Sequence, residues 1–248
     1  MIIEEDSNNV RILTLNHANK HNPFNLKLEE EIKAALQKAD RDEHIQAVVV
    51  YGGKGRSFSC GGDFNEVRKL SGGPEVEQWI DRVIDLYTAV LNLSKPSIAA
   101  IEGYAIGMGF QFAMMFDQRI MAHDAQLIMP ELKHGIGCSV GAAILNFTRG
   151  HNRMKNIVLA CDELGAEECL HYALVDQVIS REALLPVAIR RAEQMAGYPR
   201  VAFSNTKQSF NRDFITVLER TRVESKRVHR RAFAAREAQH HFSHILGN

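Results

Sequence analysis

Two short loops and four polar side chains are the parts of this sequence from which a reaction could be built. The loops are Ser59-Cys60-Gly61-Gly62-Asp63 and Gly107-Met108-Gly109, each set where a strand gives way to a helix. The first N–H groups of a helix have no intrahelical acceptor, and the helix dipole favours negative charge beside them. Glycine lets a ligand approach such a backbone closely. Two N–H groups from different loops, converging on one point, would form an oxyanion hole for charge that develops on a carbonyl oxygen. Tight turns and close packing would use the same glycines, and at this level both readings stand. Dinucleotide binding is disfavoured, because GMGFQF has no third glycine and no acidic residue is placed for a ribose.

The polar candidates sit in unlike settings. Gln111 is alone inside the apolar run GFQFAMMF, where an amide can hydrogen-bond but cannot relay a proton. Glu131, in MPELKHGIG, could cap the following loop or pair with Lys133 or His134. His229 lies among Arg222, Lys226, Arg227, Arg230 and Arg231, where it could pair as a cation with an anionic substrate or simply be solvated. Trp79 is the only tryptophan and sits on an apolar helical stripe. His240, His241 and His244 share helical spacing, but no carboxylate ligand is marked out beside them. A frayed surface helix is expected there, and no metal.

These residues need a scaffold, and its grammar is visible. VRILTL (10–15) reads as a strand, and Leu28, Ile32 and Leu36 mark a helix. IQAVVVY (45–51) suits a strand covered on both faces. From about Pro74 a long helix carries a stripe of Val76, Trp79, Ile80, Val83, Ile84, Tyr87 and Val90. A strand over 97–102, a helix over 107–116 and two short strands, QRIMA and QLIMP, follow. Strands alternating with helices make an α/β core. Beyond Gly141 the pattern is mostly helical with one strand near 174–179, and 214–246 is charged and helix-prone.

With 248 residues, 45% of them hydrophobic, the chain can bury one sizeable core. Thirty basic residues balance thirty acidic ones, so no global field draws it to nucleic acid or to a membrane surface. Cys60, Cys138, Cys161 and Cys169 form no C-x-x-C pair and read as reduced thiols. The start, MIIEEDSNN, lacks the apolar segment of a signal peptide, and no run approaches a membrane span. A soluble, cytoplasmic protein is expected.

SFSCGGDFNEV and GYAIGMGFQFAMMFDQRIMA resemble the two signature segments of the crotonase (enoyl-CoA hydratase/isomerase) superfamily, and the likeness runs in order from about Val10 to the C-terminus. The resemblance implies a spiral of repeated ββα units over 1–195, a helical C-terminal segment over 196–248 packing across the active site, and assembly as a homotrimer or dimer of trimers. By position it puts the two oxyanion N–H groups on Gly62 and Met108. It also sets Cys60, Gly61, Gly62, Asp63 and Phe64 along coenzyme A, with Trp79 lining the acyl pocket. The paired glutamates of hydratases fall here on Gln111 and Glu131, so one carboxylate has become an amide and two-carboxylate hydration is not expected. KHNPF, WIDRVIDLY and MPELKHGIGCSVGAAIL narrow the likeness to a C–C bond-forming member. That likeness implies malonyl-CoA as donor, L-1-pyrroline-5-carboxylate as acceptor, Glu131 at the hydrolytic water, and Gln111 and His229 as substrate-binding. Coenzyme A would enter only as part of the substrate, with no separate cofactor. A malonyl-CoA decarboxylase or acyl-CoA hydrolase is the alternative.

Overall fold

A computed structural model describes the backbone of residues 1–246 and the side chains of residues 1–242. Its strands are β1 (Ile2–Ser7), β2 (Val10–Leu15), β3 (Ala47–Tyr51), β4 (Ser97–Ile101), β5 (Tyr104–Ile106), β6 (Gln118–Ala122), β7 (Gln126–Ile128), β8 (Glu163–Leu164) and β9 (Gln177–Ile179). Its helices are α1 (Leu26–Arg41), α2 (Phe64–Val67), α3 (Pro74–Leu91), α4 (Met108–Ala113), α5 (Ser139–Arg149), α6 (His151–Ala160), α7 (Ala166–His171), α8 (Leu184–Ala196), α9 (Arg200–Ala234) and α10 (Glu237–Leu246).

The main sheet runs β1-β2-β3-β4-β6-β9, parallel throughout except for the β1–β2 hairpin. AVVVY and SIAAI are buried along their whole length, which is why they lack alternation. A second layer pairs β5 with β7 and β7 with β8. Single bridges, Phe24 to Gly62 and Ser59 to Ala105, extend that layer. Each main strand is therefore followed by a second-layer segment and then a helix: β2, Phe24, α1; β3, Ser59–Gly62, α2 and α3; β4, β5, α4; β6, β7, α5. This is the spiral of ββα units, and each turn delivers a second-layer segment and a helix start to the same end of the molecule.

Local signals explain the starts. Asn25 caps α1, its Oδ1 accepting from the Leu28 N–H at 2.9 Å. Asn25→Ala should lower stability by about 1 kcal/mol, read as a shift of the denaturant midpoint at constant slope.

Helix α9, about 50 Å long at 1.5 Å per residue, is fixed at both ends. Near its start Lys207, 1% exposed, donates to Asp117 Oδ2 at 2.6 Å and to the Lys95 carbonyl at 2.8 Å. The same carboxylate oxygen accepts from the N–H and hydroxyl of Ser97, which locks the β4 and β6 ends to the helix. Farther along, Arg222 and Lys226 pair with Asp81, and Arg230 with Glu77, so the basic face of α9 is neutralised by the acids of α3. Among the described residues no helix is long and apolar enough to cross a membrane.

The frayed surface helix expected around the C-terminal histidines is not found. In α10 Ala238 and Phe242 are fully buried, with the Phe242 ring 4.5 Å from that of Phe64. His241 Nε2 lies 2.7 Å from His134 Nδ1. The alternation of Ala238 and Phe242 at four-residue spacing is the apolar face that the histidines obscure. The His244 side chain lies outside the described residues.

Candidate active site

One cleft of about 620 Å3, its open mouth included, is walled by the first glycine loop, the start of α4, the Glu131 turn, α3 and α9. The two loops meet because the bridge at Ser59 holds them together. The Ser59 N–H donates to the Tyr104 carbonyl at 3.0 Å, and the Ser59 carbonyl accepts from the Ile106 N–H at 2.9 Å. Gly61 has φ +90°, and a Cβ there would lie 2.7 Å from the Ile106 carbonyl. Gly107, at φ +51°, turns the chain into α4.

Hydrogen bonding then singles out two donors. In the first loop the N–H groups of Cys60, Gly61 and Asp63 go to His21 O, Ser59 Oγ and Phe24 O, at 2.8, 3.1 and 2.8 Å. Gly62 alone in that stretch donates to no described protein acceptor. In the second loop the Gly107 N–H goes to Ile128 O at 2.9 Å, and Met108, heading α4, is left free as helix geometry requires. The structure brings both residues to the lining of one cleft.

Glu131 begins a single 3-10 turn after Pro130 and is 9% exposed. Its Oε1 accepts from Gln111 Nε2 at 2.6 Å, while its Oε2 has no protein partner. It pairs with neither Lys133, which donates to the Cys161 carbonyl, nor His134. Burial pushes its carboxyl up to about 7, against weaker opposing hydrogen bonds that include the one from Gln111. Only the ionised form can take a proton from water. Any water-activating rate should therefore rise with pH through about 7, a pH–rate profile being the check. The same shift makes the fold less stable as pH climbs from 4.5 to about 7, since there the folded carboxyl holds a proton that the unfolded one has released.

Gln111 differs from expectation. Its Oε1 accepts from the Tyr87 hydroxyl at 3.0 Å, one N–H goes to Glu131, and the nearest partner of the other is the Met129 sulfur at 3.6 Å. The amide lines the cleft but is occupied by protein, so its geometry suits holding Glu131 and not a substrate carboxylate. Tyr87, fully buried on the α3 stripe, was legible only as core; its hydroxyl is the signal that a polar partner had to exist.

His229 is 3% exposed, with Nδ1 donating to the Ser225 carbonyl at 2.8 Å and its ring edge-on to Trp79 at 5.6 Å. Burial lowers its pKa, more than its hydrogen bonds to the Ser225 and Gly137 backbone raise it. Burial thus works against the expected cation, and the ring forms part of a wall with Trp79. Phe64, Cys60, Gly61 and Gly62 line the cleft. Asp63 does not: its carboxylate turns away to cap α2, accepting from the Asn65 N–H at 2.8 Å. Cys60 is pushed up to about 11 by burial, which suits a bystander and not a nucleophile. Cys138, beside Glu131, was not foreseen as a cleft residue; nothing about an isolated cysteine in GIGCSVG signalled it.

Comparisons with known proteins agree with this architecture. The family model for enoyl-CoA hydratase/isomerase matches residues 5–244. Over 247 residues the chain is 60% identical to the carboxymethylproline synthase of Pectobacterium carotovorum, covering 100% of this chain and 99% of that one. Among solved structures, ThnE from S. clavuligerus superposes with a TM-score of 0.80 at 34% identity, covering 92% of this chain and 100% of that one. An enoyl-CoA hydratase from Bacillus halodurans superposes at 0.89 with 18% identity, covering 98% of this chain and 99% of that one, a likeness of fold.

Proposed function

We infer the reaction of this chain from one premise, that it belongs to the enoyl-CoA hydratase/isomerase family. Within that family it makes carboxymethylproline for carbapenem biosynthesis, and the observation that carries this is the 60% identity along the whole chain to an enzyme of that name. The substrates in this reading are malonyl-CoA and L-1-pyrroline-5-carboxylate. Losing CO2 from malonyl-CoA leaves the bond electrons on a thioester enolate. Its oxygen would sit between the N–H groups of Gly62 and Met108, donors that a water-excluding cleft makes most effective. The enolate carbon then attacks the ring imine carbon, and the nitrogen takes up the electron pair and a proton. Trp79 and His229 would form the wall on which the acceptor ring lies.

Hydrolysis of the product thioester needs water, a base and the same oxyanion site. Glu131 supplies the base, its free Oε2 receiving the proton, which then leaves with the coenzyme A thiol. A site with one carboxylate and one amide fits this sequence better than two-carboxylate hydration of a double bond. Assembly as a homotrimer or dimer of trimers belongs to the same reading.

The test is mass spectrometry after incubation with malonyl-CoA, with and without L-1-pyrroline-5-carboxylate. A carboxymethylproline mass that requires both substrates is expected. Acetyl-CoA alone in both samples would move the function to decarboxylation, and no turnover would overturn the reading.

A further inference from the structure

The sequence keeps a glutamine where the family has a second glutamate, and the structure shows that the glutamine does not end the chain of hydrogen bonds. Behind it stands Tyr87, whose hydroxyl lies 3.0 Å from Gln111 Oε1 and 3.3 Å from the Met108 carbonyl. The four groups form one buried line: Met108 carbonyl, Tyr87, Gln111, Glu131. We propose that Tyr87 is a positioning residue for Glu131, acting through Gln111, and that this line can reverse its direction as Glu131 gains and loses a proton. The proposal rests on the reading of Glu131 as the base for thioester hydrolysis.

The argument is one of hydrogen counting. When Glu131 is ionised, Tyr87 donates to Gln111 Oε1 and Gln111 Nε2 donates to the carboxylate, as observed. When Glu131 is protonated, the amide can turn over. Glu131 then donates to Gln111 Oε1, Gln111 Nε2 donates to the Tyr87 oxygen, and Tyr87 donates to the Met108 carbonyl. Amide nitrogen and oxygen are nearly isosteric, so both arrangements fit the same distances. Both links of the line, Tyr87 to Gln111 and Gln111 to Glu131, are kept in either state, which matters where an unmade bond is costly. A second glutamate at this place could not do the same, since two carboxylates 2.6 Å apart do not both ionise. The titratable groups facing Glu131 are Tyr87 from α3, Cys138 ahead of α5, His134 on its own turn and His229 from α9.

The two states do not depend on Tyr87 equally. The ionised state carries a charge-assisted bond, roughly twice as strong as a neutral one, and Tyr87 sets the amide orientation that makes it. Tyr87→Phe should therefore slow thioester hydrolysis about tenfold, the size of one lost hydrogen bond, and move the acid-limb midpoint of the pH–rate profile upward. Gln111→Leu should move it the same way. Adding Tyr87→Phe to Gln111→Leu should then move it no further, because Tyr87 acts only through the amide. An unmoved midpoint in Tyr87→Phe, or an undiminished further shift in the double variant, overturns the proposal. If a variant does not fold, NMR on the unaltered protein decides. The Gln111 side-chain amide signals should titrate with the midpoint of the Glu131 carboxyl, and signals indifferent to that midpoint overturn the proposal. Failure of the underlying reading looks different: there Glu131→Gln itself would leave hydrolysis unimpaired.

Discussion

Glu131→Gln should slow hydrolysis of the product thioester by about 100- to 10,000-fold, the usual worth of a positioned general base, while decarboxylation of malonyl-CoA stays largely intact. The substitution keeps the shape of the side chain, and its amide oxygen can still accept from Gln111 Nε2, so the turn after Pro130 has no reason to move. What disappears is the only buried carboxylate lining the cleft among the described residues, with the oxygen that has no protein partner. Decarboxylation asks nothing of that oxygen, because the charge it creates goes to the N–H groups of Gly62 and Met108. The variant should therefore pile up the carboxymethylprolyl thioester, seen by its mass, and release little free thiol. Equal loss of both steps in a folded protein would show that Glu131 serves the hole or the substrate instead of water.

Gly61→Ala should do the reverse and depress both steps together, by about 100- to 1,000-fold, the effect of removing one oxyanion donor. The new methyl would have to sit 2.7 Å from the Ile106 carbonyl and 3.4 Å from the Met108 nitrogen, on a backbone at φ +90° that side chains avoid. Something must shift, and what lies there is the seam between the two loops. Spreading it parts the Gly62 and Met108 donors without touching any acid or base. Rates of acetyl-CoA release and thiol release, measured beside a circular dichroism spectrum, check this. Loss of hydrolysis alone would mean that the enolate is held elsewhere.

The glycine loops could be read in the sequence because their chemistry is carried by backbone turns, whereas Glu131 was singled out only through the resemblance to the family. The elements bearing them were legible too, down to the α3 stripe except for Leu86 and Leu91, because apolar periodicity is set by burial. Strand β1 was missed for a physical reason: IIEEDS looks solvated and its central residues are exposed, so its pairing along β2, with Arg11 of β2 holding Glu4 and Asp6, leaves no apolar pattern. Strands β5 and β8 are too short to show a period. The state of His229 was misread because its neighbours in sequence are basic. Its neighbours in space are not, since Leu218, Ser225, His229 and Phe233 share one buried face of α9. That stripe was present in the spacing, diluted by arginines that turn outward to the acids of α3. The partners of Gln111 had no local signature at all; which groups an amide meets is a property of packing.

The anchored course of α9 also has a consequence for the order in which the protein is made. The floor of the cleft is complete once residues 60 to 141 exist, but His229 and Phe242 follow roughly ninety to a hundred residues later, about 5 to 20 s at ordinary translation rates. Through that interval the apolar face of α3, with Trp79, Ile80 and Val83, and the ring of Phe64 have no cover. A nascent chain at this stage has the cleft floor and no wall to keep water from it. It also offers bare apolar surface to any neighbouring nascent chain. Arrival of α9, pinned by Lys207 before the wall residues emerge, closes both exposures in one direction, from anchor to mouth.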